Sequence, residues 1–163
     1  FTLFQAISVG HASLSTVHAG SIEELLHRVE NEPMNIPRVL FTSIDAVALM
    51  GQVTFQGKRV RRTKGIVEVL DLEPETDNLL TNNPFKWQPK DDSFHYSGRS
   101  FVLENIAEET GISIKKLLAE LQQREDYLNL MNEKDITYYK EVNKALNHYY
   151  VDKNEAIDEL QRR

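Results

Sequence analysis

Apolar positions along the 163-residue chain fall into three textures. The first is mixed. Leu3, Phe4 and Ile7 share one face at helical spacing, and Gly10 is placed to stop that helix. Ser13 to His18 reads as a short buried strand ending at Ala19-Gly20. Ser21 and Glu24 then form a capping box in front of Ile22, Leu25, Leu26 and Val29, which recur at helical spacing. Helix, strand and helix in that order are what an α/β sheet produces. Pro33 and Pro37 bracket a break, and Pro37 suits the first turn of a short helix carrying Leu40, Phe41 and Ile44.

From Val47 to Leu70 the texture is that of strands. Val47, Leu49, Val53 and Phe55 lead to Gln56-Gly57, and Val60, Ile66, Val67 and Val69 return, which predicts an antiparallel hairpin with Gly57 supplying the turn conformation. Residues 73–99 are interrupted by Pro74, Pro84, Pro89 and Ser97-Gly98 around Phe85-Lys86-Trp87, the pattern of a connector with a small aromatic anchor. After Ser100 the spacing is helical throughout. Leu103, Ile106 and Ala107 precede Gly111; Ile114, Leu117, Leu118, Leu121, Leu128 and Met131 follow, then Tyr138, Val142, Ala145, Leu146 and Tyr149. The expected organisation is thus residues 1–72, a connector at 73–99, and an all-helical subdomain at 100–163.

Composition narrows the chemistry. A hydrophobic fraction of 40% and a charged fraction of 27% are those of a globular protein. No apolar run approaches the ~18 residues that span a bilayer, and the absence of cysteine removes disulfides and thiolate ligands. Phe1 opens in the middle of an apolar pattern without a signal peptide, as expected of a cut within a longer protein. The net charge of −6 is uneven: residues 1–72 balance seven basic against seven acidic side chains, and residues 73–163 set twelve against eighteen. An acidic half is a poor nucleic-acid partner. The Gly57-Lys58 pair is followed by Arg59 and preceded by Gln52 where a phosphate loop needs glycine, so no phosphate loop is present. No zinc motif and no nucleophile elbow occurs, and no metal site is expected.

Two places hold candidate chemistry. His18 stands at the end of the expected strand, just before a helix start, where anions are favoured; the alternative is a histidine held by a neighbouring carbonyl. Lys58, Arg59, Arg61, Arg62 and Lys64 make a basic strand. Arg61 and Arg62 suit a phosphate or a carboxylate across a subunit joint, or else a solvated edge hairpin guarded by charge. Ile106 to Ile114, with Gly111 in the turn, has helix-turn-helix spacing. Acidic surroundings at residues 113–124 would argue for a protein partner, basic ones for nucleic acid.

Gly10-His11 through Thr16-Val17-His18-Ala19-Gly20 resembles the histidine box of type II/type IV secretion and pilus ATPases in its archaeal form. The similarity continues through Glu24 to Arg28, Ile36-Pro37-Arg38, Gly57 to Arg62 with Ile66 and Glu68, and Asn83-Pro84-Phe85-Lys86-Trp87, so it covers nearly the whole chain. The closing helices look most like archaellum-motor and archaeal pilus members. The resemblance implies an α/β fold: the C-terminal half of a RecA-like P-loop NTPase domain with an added β-hairpin, followed by a helical C-terminal subdomain. It implies a hexameric ring of identical subunits that uses ATP and Mg2+ in the full-length protein to drive filament assembly or protein export. Its place would be cytoplasmic, at the inner face of the cell membrane, with a polytopic platform protein and accessory cytoplasmic proteins as partners and no nucleic acid. His18 would sense the γ-phosphate and couple it to the catalytic glutamate, with His11 and Thr16 shaping the same site and Arg61 and Arg62 as further cofactor-binding candidates. Without its own Walker segments the piece alone is expected to bind no nucleotide and to be inactive. A non-catalytic helix-turn-helix or protein-interaction module is the alternative.

Overall fold

Gln56 and Gly57 both take positive φ, 47° and 75°, which gives the two-residue turn whose twist matches right-handed strands. It joins β1 (Ala46–Phe55) to β2 (Lys58–Leu72), with Phe55 paired to Lys58. The hairpin expected from the sequence therefore forms. The computed structural model describes residues 2–162. Two further strands, β3 (Leu79–Gln88) and β4 (Ser93–Tyr96), complete an antiparallel sheet in the order β1-β2-β3-β4.

The segment expected to be a connector thus carries half of the sheet. Prolines break the sequence pattern there, but the ladder accommodates them. Glu68 pairs with Asn82 and Ile66 with Phe85, so β3 carries an extra residue at Asn83-Pro84. A bulge leaves a position that needs no donor, which is what proline requires within a sheet. Pro84 is fully buried there, and its carbonyl accepts from the Ser97 N–H at 2.8 Å.

The chain divides into two compact units, Phe1–Asn105 and Ile106–Arg163. In the first, α1 (Thr2–Ser8) ends as the sequence indicates: His11 N–H bonds to the Ala6 carbonyl and Gly10 N–H to that of Ile7, with Gly10 at φ 89°. That is the glycine-terminated helix end that satisfies the last carbonyls. In α2 (Ile22–Glu30), Leu25, Leu26 and Val29 are buried, and they join Phe4, Ile36 and Phe41 in one core. Phe41 comes from a 3-10 helix, Arg38–Ser43, that begins after Pro37 as expected.

The strand expected at Ser13 to His18 does not form: residues 11–19 are irregular, and Leu14 is fully exposed. A strand takes its hydrogen bonds from a neighbour, and among the described residues none lies alongside this segment in a ladder. The sheet is antiparallel throughout, and the architecture is mixed α/β.

Glu68 is the buried exception on β2, with 2% of its surface exposed. Its carboxylate accepts from Asn82 Nδ2 at 2.8 Å, from the Ser100 hydroxyl, and from the Phe101 and Val102 N–H groups at 2.9 and 3.3 Å. Phe101 opens α3 (Phe101–Thr110), so a side chain from the sheet supplies the acceptors for the first turn of a helix.

The second unit is helical from the end of α3 onward, through α4 (Ile114–Glu133), α5 (Tyr139–Val151) and α6 (Lys153–Arg162). Ser113 caps α4. Its core gathers Tyr127, Met131, Ile136, Tyr149, Ala156 and Leu160. Leu128 and Tyr138, which the spacing assigns to apolar faces, are more than half exposed. Tyr127 is buried instead, its hydroxyl donating to the Ala145 carbonyl at 3.0 Å. Among the described residues no helix is long and apolar enough to cross a membrane.

Replacing Glu68 by Ala strands one hydroxyl, one amide and two backbone donors in a buried site. The unfolding free energy is expected to fall by about 3–4 kcal/mol, and by roughly half as much for Glu68→Gln, which keeps an acceptor. Urea denaturation of the three proteins checks both values.

Candidate functional site

The residues singled out from the sequence lie on two separate elements of the first unit. His11, Thr16 and His18 occupy the irregular segment between α1 and α2, all three exposed. Arg61 and Arg62 lie in the distal half of the hairpin, on β2.

The start of α2 is built locally. Ser21 Oγ accepts from the Glu24 N–H at 3.2 Å, and Glu24 reaches back to accept from the Gly20 N–H at 2.6 Å. The sequence pattern is a capping box, although the return bond goes to the residue before the cap. This bond from Gly20 holds the Glu24 carboxyl below its usual range; the Arg28 guanidinium, 3.2 Å away, and then His18 add to the effect.

That geometry bears on nucleotide binding. The Glu24 carboxylate lies beside the α2 start on the Gly20 N–H, and the segment 11–19 is exposed apart from Ala19. Among the described residues no group of three or more His, Cys, Asp or Glu side chains is placed to hold a metal ion. The described residues do not by themselves fit ATP and Mg2+.

Beside the α2 start lies an open cleft of about 650 Å³. Leu26, Leu49, Val67 and Leu79 are among its apolar lining, and Ser21 and the Glu30–Arg38 pair are among its polar groups. Arg38 binds Glu30 through two bonds, the longer 2.8 Å, and also donates to the Asp77 carbonyl at 3.1 Å.

Arg62 is committed within the chain. Its Nε and Nη2 donate to the two carboxylate oxygens of Asp92 at 2.7 and 2.5 Å, and Trp87 Nε1 donates to Asp92 Oδ1 at 2.8 Å. These hydrogen bonds, that from Arg62 first and that from Trp87 second, lower the Asp92 carboxyl to about 2. Asp92 lies in the turn between β3 and β4, and the parallel two-bond fork is the strong arginine–carboxylate arrangement. Arg61, one position away, is exposed and enters no ion pair among the described residues.

In the helical unit, residues 113–124 carry Lys115, Lys116 and Arg124 against Glu120. Glu120 accepts from Arg124 at 3.0 Å and from Lys153 at 2.7 Å, which leaves the local basic character to Lys115 and Lys116. His148 sits between Glu155 and Glu159, at 3.6 and 3.1 Å.

Sequence reasoning named Glu68 only as a landmark of the resemblance, with no role, and missed Asp92. Glu68 did leave a signal: it is a lone carboxylate within Ile66-Val67-Glu68-Val69-Leu70, and a charge in a buried run requires partners. Asp92 left none, because the turn that brings it to Arg62 exists only once β3 and β4 pair.

Since the Asp92 pKa is depressed when folded, the stabilisation it provides is complete above the unfolded value and is lost as pH falls through the folded one. That window runs from the ordinary aspartate value of 3.8 down to about 2. Trp87, the single tryptophan, reports it directly: its emission is expected to change with a midpoint near 2, and Asp92→Asn should abolish that step in a fluorescence titration.

Residues 90–162 match a protein-family model described as PilB3-like, C-terminal. Three proteins of Methanocaldococcus jannaschii are similar over more of the chain. Uncharacterized protein MJ1287 is 42% identical over 126 residues, 77% of this chain and 47% of its own length. Uncharacterized protein MJ0900 is 30% identical over 90% of this chain, and uncharacterized protein MJ0781 25% identical over 87%. This chain spans about half the length of the first of these relatives, and 27% and 20% of the other two. At a coarse level, residues 90–162 are thus similar to a PilB3-like C-terminal domain.

Proposed function

We propose that this chain is the C-terminal portion of a motor ATPase of the pilus/secretion type, acting in a ring of identical subunits to drive filament assembly or protein export. The single observation that carries the reading is the match of residues 90–162 to the PilB3-like C-terminal domain. The histidine-box resemblance of residues 10–20 agrees with it from the other end of the chain. The nucleotide site is completed by residues outside this chain, because neither a phosphate loop nor a metal-binding cluster stands among the described residues. His11, Thr16 and His18 form one wall of that site. Their exposure leaves their polar atoms open to a partner surface. RecA-like segments elsewhere in the longer protein supply the phosphate loop, and a membrane platform protein at the cytoplasmic face receives the motor's work.

The test uses the longer protein that includes the sequence upstream of Phe1. It is expected to hydrolyse ATP, and His18→Ala should lower turnover roughly ten- to a hundredfold with an unchanged circular dichroism spectrum. Wild-type turnover in that variant would remove His18 from the site, and no ATP hydrolysis by the longer protein would remove the motor reading.

A further inference from the structure

Charge is separated along β2. Between Asp45 and Glu68 the chain has five basic residues, Lys58, Arg59, Arg61, Arg62 and Lys64, and no acidic one. Past Glu68 the sign reverses: Asp71, Glu73, Glu75 and Asp77 follow within the end of β2 and the loop to β3. The basic half is also an arm. β3 pairs with β2 only from Gly65 to Leu72, so in the ladder residues 58–64 pair with β1 alone, and only Arg62 is held from the other side, by Asp92 of the β3–β4 turn.

Four of the arm's five charges lack an ion-pair partner among the described residues. Arg59 and Arg61 pair across the ladder with Thr54 and Gln52, on the face that also carries Met50, 65% exposed. Arg62 alone is neutralised, by Asp92. Among the described residues no ion pair engages Lys58, Arg59, Arg61 or Lys64, and none engages the carboxylates of Asp71, Glu73, Glu75 or Asp77. A solvated guard against edge pairing needs only charge on the edge; five basic residues with no acidic one among them in sequence also repel one another.

These two regions cannot neutralise each other within one copy. Arg61 and Glu73 are twelve residues apart along an extended strand, roughly 40 Å, against a screening length of about 8–10 Å. Outside the arm the chain is strongly acidic, 25 acidic residues against the remaining 14 basic ones, so a second copy offers what the arm lacks. We infer that the arm of one copy docks on the Asp71–Asp77 loop of another, through Arg59 and Arg61 against Glu73 and Glu75. The two surfaces differ, so the contact is head-to-tail and propagates into a ring or an open chain of copies. The inference stands on charge and topology and does not need the motor reading.

Sedimentation velocity on the chain as it stands, at about 50 mM and about 0.5 M NaCl, provides the test. Self-association is expected at low salt and should weaken about tenfold or more at high salt. Arg59→Glu/Arg61→Glu and Glu73→Lys/Glu75→Lys should each sediment as monomers while keeping the wild-type circular dichroism spectrum. Mixed in equal amounts, the two variants should associate again, because each then meets its complement. A wild-type monomer at low salt, or variants that associate as the wild type does, would overturn the inference, as would a mixture that stays monomeric. Cosedimentation of the monomeric wild type with anionic phosphatidylglycerol vesicles, lost in Arg59→Glu/Arg61→Glu, would assign the arm to a lipid surface instead.

Discussion

A carboxylate buried in the middle of a sheet needs every one of its lone pairs met, and Glu68 meets them by drawing together three parts of the first unit. It takes the side-chain amide of Asn82 on β3, the hydroxyl of Ser100, and the first N–H groups of α3. Removing the charge from water is costly, and the hydrogen bonds return that cost only in one arrangement. The paired strands β2 and β3, the chain crossing at Ser100 and the starting point of α3 are therefore fixed together. Arg99 reinforces the corner from outside, stacking over Phe101 at 4.1 Å and binding Glu104 at 2.8 and 2.9 Å.

Features that depend on neighbours in sequence were legible. Ser21 with Glu24 announced the α2 start, Gly10 the α1 end, and Gln56-Gly57 the hairpin, because a cap or a tight turn is decided by a few adjacent residues. Features that depend on a distant partner were not. Ser13 to His18 has the residues of a strand, yet no neighbouring ladder takes it up among the described residues. Residues 79–88 looked broken at Pro84, yet a bulge admits the ring where no donor is required. The histidine segment could be named as a candidate from its residues, but the bond from Gly20 to Glu24 beside it appears only in the fold. Likewise Arg62 reads as a free guanidinium until β4 folds back and supplies Asp92.

The candidate site is consequently a surface more than a pocket. His11, Thr16 and His18 are exposed, and the cleft beside α2 is open to solvent. Such surfaces acquire chemistry when another surface closes over them, in the way that many sites are assembled at domain or subunit joints. The helical unit contributes differently. Its core of Tyr127, Met131, Tyr149 and Leu160 stands on its own apolar contacts, with Tyr127 and Tyr149 packed ring to ring at 4.7 Å.

One irregularity in the hairpin decides which of its side chains share a face. Leu49 pairs with Gly65 and Met50 with Thr63, so Lys64 has no partner and its stem lies across Gly51, where a side chain would collide with it. Along β2, the positions on the face of Val47 and Leu49 are even from Lys58 to Arg62 and odd from Gly65 onward, which is how Val60 comes to lie beside Val53 and Phe55. The two strands differ by one residue, and where that residue is lost matters. Deleting Lys64 would close the ladder with every side chain still on its own face. Deleting Arg59 would close the same ladder while turning Val60 outward and Arg61 inward. Two chains of equal length, each one residue shorter than this one, would thus share a backbone and present opposite surfaces.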